Sequence, residues 1–87
     1  MFCVYVLESV QSNELYIGYT NNLTRRLAEH NNGTEVATKR YMPWKCIHCE
    51  HSVLEEDARR REGYLKTTQG RRMLKLRLKE YFRRRAS

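Results

Sequence analysis

Arg26 and His30 stand four residues apart in a run with helical spacing, so a guanidinium and an imidazole project from adjacent turns of one short helix. Just ahead of them Tyr16 lies in Leu15 to Tyr19, whose aromatic and β-branched residues read as a strand. Tyr5 belongs to an earlier strand-like run, and Glu62 falls on the inward face of a later helix. Phenol, guanidinium, imidazole and carboxylate are groups of proton transfer and anion binding, and packing accounts for these five residues least well. Singly, each still has a bland account. Tyr5 and Tyr16 suit core positions with a wet hydroxyl, Arg26 and His30 could shield the helix stripe, and Glu62 is within helical reach of Arg59, Arg61 and Lys66.

The elements that must position these groups follow from pattern. Phe2 to Glu8 is a β-rich run, and polar Val10-Gln11-Ser12-Asn13 turns it into the Leu15 to Tyr19 strand as a hairpin. If Ser9 pairs with Glu14 across a four-residue loop, Leu7 faces Tyr16 and Tyr5 faces Gly18. Tyr5 and Tyr16 then share a face as diagonal neighbours, and Gly18 leaves the space above Tyr5 open. A slip of one residue would put the rings on opposite faces. Thr20, Asn21 and Asn22 are start signals for the first helix and Asn31-Asn32-Gly33 its stop, with Leu23 and Leu27 as buried stripe and Arg25 and Glu29 as a solvated pair on another face.

Gly33 to Tyr41 lacks a period and reads as an exposed basic loop carrying Lys39 and Arg40. Pro43 opens a third strand, Trp44 to Glu50. Ser52 and Glu55 match a capping box for a second helix to about Lys66, with Leu54, Ala58 and Leu65 inward. Thr67 to Gly70 breaks that helix, and a third resumes at Arg71 with Leu74, Leu78, Tyr81 and Phe82 inward, leaving Arg83 to Ser87 as a frayed basic tail. The expected fold is α+β, a small three-stranded antiparallel sheet packed with three helices in the order β-β-α-β-α-α. At 87 residues the chain is expected to form one domain, residues 1–87.

Seventeen Lys and Arg against ten Asp and Glu leave a net charge of +7, which favours a polyanionic partner such as nucleic acid. A basic surface kept for solubility is the competing account. Apolar residues at the start run only from Phe2 to Leu7, too short for a signal peptide or membrane span, and no basic helix has the broad apolar face of a membrane binder. A cytoplasmic location with three reduced cysteines is expected.

Cys3-Val4-Tyr5, then Tyr16-Ile17-Gly18, Thr20, Leu23, Arg26-Leu27 and His30, and finally Glu62 in Ala58-Arg59-Arg60-Arg61-Glu62 with Lys66 one turn on, resemble the GIY-YIG nuclease family in its short, single-domain bacterial form. The closing segment, Leu65-Lys66-Thr67 through Arg71-Arg72-Met73-Leu74-Lys75 to Leu78-Lys79-Glu80, is similar as well. Cys3 and Val4 stand where the first motif has glycine and isoleucine, and the sequence has no asparagine after Asn32 to match one that some relatives carry in the site. The resemblance implies a divalent-metal-dependent endonuclease acting on DNA, with RNA as a weaker option and a role in DNA repair or processing. Glu62 would hold Mg²⁺ or Mn²⁺, Arg26 would clamp the phosphate, Tyr5 would be general base, Tyr16 would orient water or phosphate, and His30 would be reserve base or orient Tyr5. Lys39, Arg40, Lys66, Arg71 and Arg72 are the expected nucleic-acid contacts. Relatives commonly add a targeting domain, so specificity here would come from the basic loop, the third helix, self-association or a protein partner. A non-catalytic nucleic-acid-binding module is the alternative.

A second metal signal is Cys46-x-x-Cys49 with His48 and His51. In a regular strand Cys46 and Cys49 point to opposite faces, which argues against structural zinc.

Overall fold

The computed structural model describes residues 1–86. Phe2–Ser9 forms β1, Leu15–Thr20 β2 and Trp44–Ser52 β3, in one antiparallel sheet of order β2-β1-β3. The helices are α1 Leu23–Asn31, α2 Val36–Lys39, α3 Glu55–Leu65, α4 Thr68–Arg77 and α5 Lys79–Ala86. The class is the expected α+β with a three-stranded sheet, and five helices surround it where the pattern predicts three. None of the described helices is long and apolar enough to cross a membrane.

Strand β1 is central, and every residue from Cys3 to Ser9 is buried on one face or the other. Val4 and Val6, with Ile17, pack against Ala58 and Leu65 of α3 and Leu74 of α4. Cys3, Tyr5 and Leu7 face the other way, against Trp44, Tyr16, Leu23, Leu27, Tyr41 and Met42. Each fully buried aliphatic side chain contributes about 1.5–3 kcal/mol, so the sheet is held between two helical layers. The hairpin has the expected register: the Ser9 amide donates to the Glu14 carbonyl at 2.8 Å, Leu7 pairs with Tyr16 and Tyr5 with Gly18. Asn13 in the turn has φ 62°, a conformation asparagine tolerates.

Strand β3 carries a bulge. Val6 pairs with His48 and Leu7 with Cys46, so Ile47 is an extra residue. Cys46 and Cys49 consequently oppose Leu7 and Tyr5 on one face of the sheet, correcting the expectation that they diverge. The inserted residue breaks the two-residue alternation on which that expectation rests.

Other departures have tertiary causes. The segment read as an exposed loop contains α2, whose Thr38 is fully buried, because the Trp44 indole donates to the Thr38 carbonyl at 2.8 Å and Arg26 pairs with Glu35 at 2.9 Å. Ser52 does not cap α3. Its pairing with Phe2 keeps it in β3, so the helix begins at Glu55 after Leu54, which is exposed and not part of the inward stripe. In α1 the buried residue is His30, while Leu23 and Leu27 are half-buried. Thr67 is the N-cap of α4, its hydroxyl accepting from the Gly70 amide at 3.0 Å, so the expected break is a helix start. The expected frayed tail is helical as α5 through Ala86, and Ser87 lies outside the described residues. The buried carboxylate of Glu8 explains this order: the Tyr81 hydroxyl donates to it and the Arg85 guanidinium pairs with it.

Candidate active site

The site is built where the Tyr5 ring of β1 lies against Gly18 of β2. A Cβ placed on Gly18 would stand 2.6 Å from Cζ of Tyr5, so the phenol lies across β2 in space that only glycine leaves. Tyr5 is 1% exposed, and its hydroxyl is 3.0 Å from Nε2 of His30, itself 0% exposed. On the far side of the imidazole, Nδ1 is 2.8 Å from Thr38 Oγ1. The Thr38 hydroxyl donates to the Glu35 carbonyl at 3.4 Å, so it accepts from Nδ1–H. That assigns the tautomer: Nε2 carries the lone pair and receives the Tyr5 proton. Asn22 caps α1 by accepting from the Arg25 amide at 3.0 Å, which sets the phase that aims His30 at β1.

Tyr16 closes the other side. Its ring centroid is 6.4 Å from that of Tyr5, 4.9 Å from His30 and 6.3 Å from Trp44. Arg26 sits one turn before His30 and is held by two carboxylates, Glu29 at 2.8 Å and Glu35 at 2.9 Å. Glu29 therefore serves Arg26 far more than the expected Arg25, which it meets only at 3.9 Å. Glu62 is half-buried on α3 and meets Lys66 Nζ at 3.3 Å.

The charges are coupled. Burial pushes the Tyr5 phenol up to about 12; the Arg26 guanidinium works against that and the Tyr16 and Glu62 charges reinforce it. Burial and Arg26 both lower His30, so its imidazole is neutral at pH 7. Hydrogen bonding to Glu29 raises Arg26 further above its ordinary value, and the same bond lowers Glu29. The resting arrangement is thus a protonated phenol facing an unprotonated imidazole beside a permanent cation.

Tyr5, Tyr16, Arg26 and His30 come together through direct contacts, and the Glu62 charge reaches Tyr5 from α3. Lys66, Arg71 and Arg72 line an open groove of about 530 Å³ with Thr67, Thr68 and Lys75. Lys39 and Arg40 do not join that groove; both are exposed at the end of α2, with Arg40 over the Tyr41 ring at 5.5 Å. Sequence reasoning missed Thr38, Glu35 and Glu29 as partners. Glu29 had a signal, its i,i+3 spacing from Arg26. Thr38 and Glu35 had none, since they reach the site through a four-residue helix without period.

Residues 1–75 match the model of the GIY-YIG catalytic domain. A UPF0213 protein of Clostridium perfringens is 38% identical over 64 residues, 72% of this chain and 68% of that protein. A UPF0213 protein of Staphylococcus haemolyticus is 35% identical over 74 residues, 84% of this chain and 89% of that protein. A structure-specific endonuclease subunit SLX1 homologue of Leishmania infantum is 41% identical over 54 residues, which is 54% of this chain and 8% of that protein. This chain therefore spans only a small part of the Leishmania protein. No solved structure matches. With a domain match over most of its length and bacterial relatives similar across most of theirs, the chain belongs to the GIY-YIG catalytic domain family.

Proposed function

We propose that this protein is a divalent-metal-dependent endonuclease that hydrolyses phosphodiester bonds in DNA and serves DNA repair or processing. The observation that carries the reading is the Tyr5–His30–Thr38 chain, a buried phenol whose proton has a prepared acceptor. Family membership supports nuclease chemistry. The net charge of +7 and the groove of Lys66, Arg71, Arg72 and Lys75 support a polyanionic substrate.

Glu62 suits a hard cation: its side chain is 21% exposed, its only ion-pair partner among the described residues is the Lys66 amine, and its charge is felt at Tyr5. One carboxylate with room for water is what Mg²⁺ or Mn²⁺ takes, and the bound ion would neutralise charge at the scissile phosphate and leaving oxygen. The chain's own groups do the rest. Tyr5 Oη takes a proton from the attacking water as its own moves to His30 Nε2, so no free phenolate need persist in a site that disfavours one. Thr38 holds Nδ1–H and keeps the lone pair of Nε2 on Tyr5. Arg26 uses Nη1 and Nη2 on Glu29 and Glu35 and still has N–H donors for a phosphate oxygen. Tyr16 covers the imidazole and orients the water or phosphate.

The test is cleavage of supercoiled, linear, branched and single-stranded DNA and of RNA, with Mg²⁺, Mn²⁺ or chelator. Wild type should cut DNA only with metal. Glu62→Ala should abolish cutting with binding retained, and Tyr5→Phe should lower turnover by roughly two to four orders of magnitude. Cutting by both variants at the parent rate would overturn the site assignment. Salt-sensitive binding without cutting in any condition would establish the non-catalytic module instead.

A further inference from the structure

Strand β3 returns to β1 with three soft donors beside one another. Register pairs Cys3 with His51 and Tyr5 with Cys49, and paired residues share a face, so Cys3, Cys49 and His51 all project from the Tyr5 side of the sheet. Their sulfur and imidazole nitrogen atoms lie within 4.8 Å of one another. Cys3 is buried at 4% exposure, whereas Cys49 and His51 are exposed. One donor is thus rooted in the core and two open to solvent. All three cysteines are free thiols.

We propose that Cys3, Cys49 and His51 form a zinc site that joins β1 to β3, with solvent in the fourth position. Two thiolates and an imidazole are a borderline-soft donor set, which Zn²⁺ takes in tetrahedral geometry and Mg²⁺ does not. An edge of 4.8 Å or less is compatible with donors that close on a common ion by side-chain rotation, given metal–ligand bonds of about 2.0–2.3 Å. Binding forms two Zn–S bonds and one Zn–N bond and releases the two thiol protons to solvent. Until then burial, reinforced by Cys49 and Cys46, holds the Cys3 thiol up to about 11. The set differs from the Cys46-x-x-Cys49 pair apparent in the sequence, because Cys46 is half-buried and its thiol turns to the His48 carbonyl at 3.5 Å. It is also independent of Glu62, which stands on a helix packed against the opposite face.

The fully reduced chain should bind one equivalent of Zn²⁺. With Co²⁺ as reporter, it should show thiolate-to-cobalt charge transfer and the visible bands of tetrahedral cobalt, all bleached by one equivalent of Zn²⁺ and unmoved by excess Mg²⁺. Cys49→Ser and His51→Ala change exposed residues, so their fold can be checked by circular dichroism, and each should weaken binding at least tenfold. Cys46→Ser and Glu62→Gln should leave the spectrum intact. Absence of thiolate charge transfer in the wild type overturns the proposal, as does a spectrum that survives Cys49→Ser or disappears in folded Cys46→Ser. Neither result touches the nuclease reading, whose metal is read by cleavage.

Discussion

Substituting Gly18 by alanine tests the geometry at the centre of the site. The new Cβ would stand 2.6 Å from Tyr5 Cζ, about 0.8 Å inside the 3.4 Å edge of ordinary contact. The phenol is fully buried and bounded by the His30 and Tyr16 rings, so it has little room to yield. Either the ring shifts by most of that shortfall or β2 lifts from β1. A shift of that size stretches the 3.0 Å bond to His30 past hydrogen-bonding range. Overpacking costs about 1–3 kcal/mol, and an orphaned buried imidazole nitrogen about 1–3 kcal/mol more. At about 4–8 °C per kcal/mol for a domain of this size, thermal unfolding should fall by roughly 10–45 °C. Turnover should drop about 100-fold, the usual result of displacing a reacting group by close to 1 Å, with DNA affinity nearly unchanged. Gly63→Ala is the matched control: a Cβ there meets nothing within 4 Å in the last turn of α3, so it should stabilise by up to about 0.5–1 kcal/mol. The two variants are read by calorimetry, a single-turnover cleavage assay and filter binding. Gly18→Ala that melts and cuts like the parent would refute the placement of Tyr5 over Gly18.

Three further outcomes follow from other contacts. His30 is held neutral below the ordinary histidine range, so the unfolded chain binds more protons as pH falls below about 6.5; its stabilising effect is present above that pH and lost toward the lower folded value. Melting temperature should therefore decline more steeply below pH 6.5 in the wild type than in His30→Gln, and equal slopes would show that His30 does not carry the linkage. Gly70→Ala should destabilise by about 1–3 kcal/mol in denaturant titration, since its Cβ would meet backbone of the preceding helix, the Tyr64 carbonyl carbon at 2.7 Å and Leu65 Cα at 2.8 Å. Tyr81→Phe removes the hydroxyl that donates to buried Glu8 and should cost about 1–3 kcal/mol, with loosened α5 detected as faster amide exchange over residues 79–86; unchanged exchange would detach α5 from Glu8.

What the chain shows on its own is what depends on short-range pattern. Alternation in Phe2–Ser9 and Leu15–Thr20 shows a hairpin and names the register that places Tyr5 and Tyr16 on one face over Gly18, but the closure of Ser9 on Glu14, against a slip of one residue, is seen only in the fold. Four-residue spacing and the Asn22 cap bring Arg26 and His30 to one side of α1. Tertiary structure decided the rest, because it rests on contacts between residues far apart in sequence. Thr38 reaches His30 alongside the Trp44 indole bond that anchors α2, and α5 carries Tyr81 and Arg85 to the buried carboxylate of Glu8, more than seventy residues earlier. The bulge at Ile47 is the sharpest case. One extra residue, invisible to any local rule, reverses the facing of Cys46 relative to Cys49, and the pairing of β3 with β1 then gathers Cys3, Cys49 and His51 on the face that carries Tyr5.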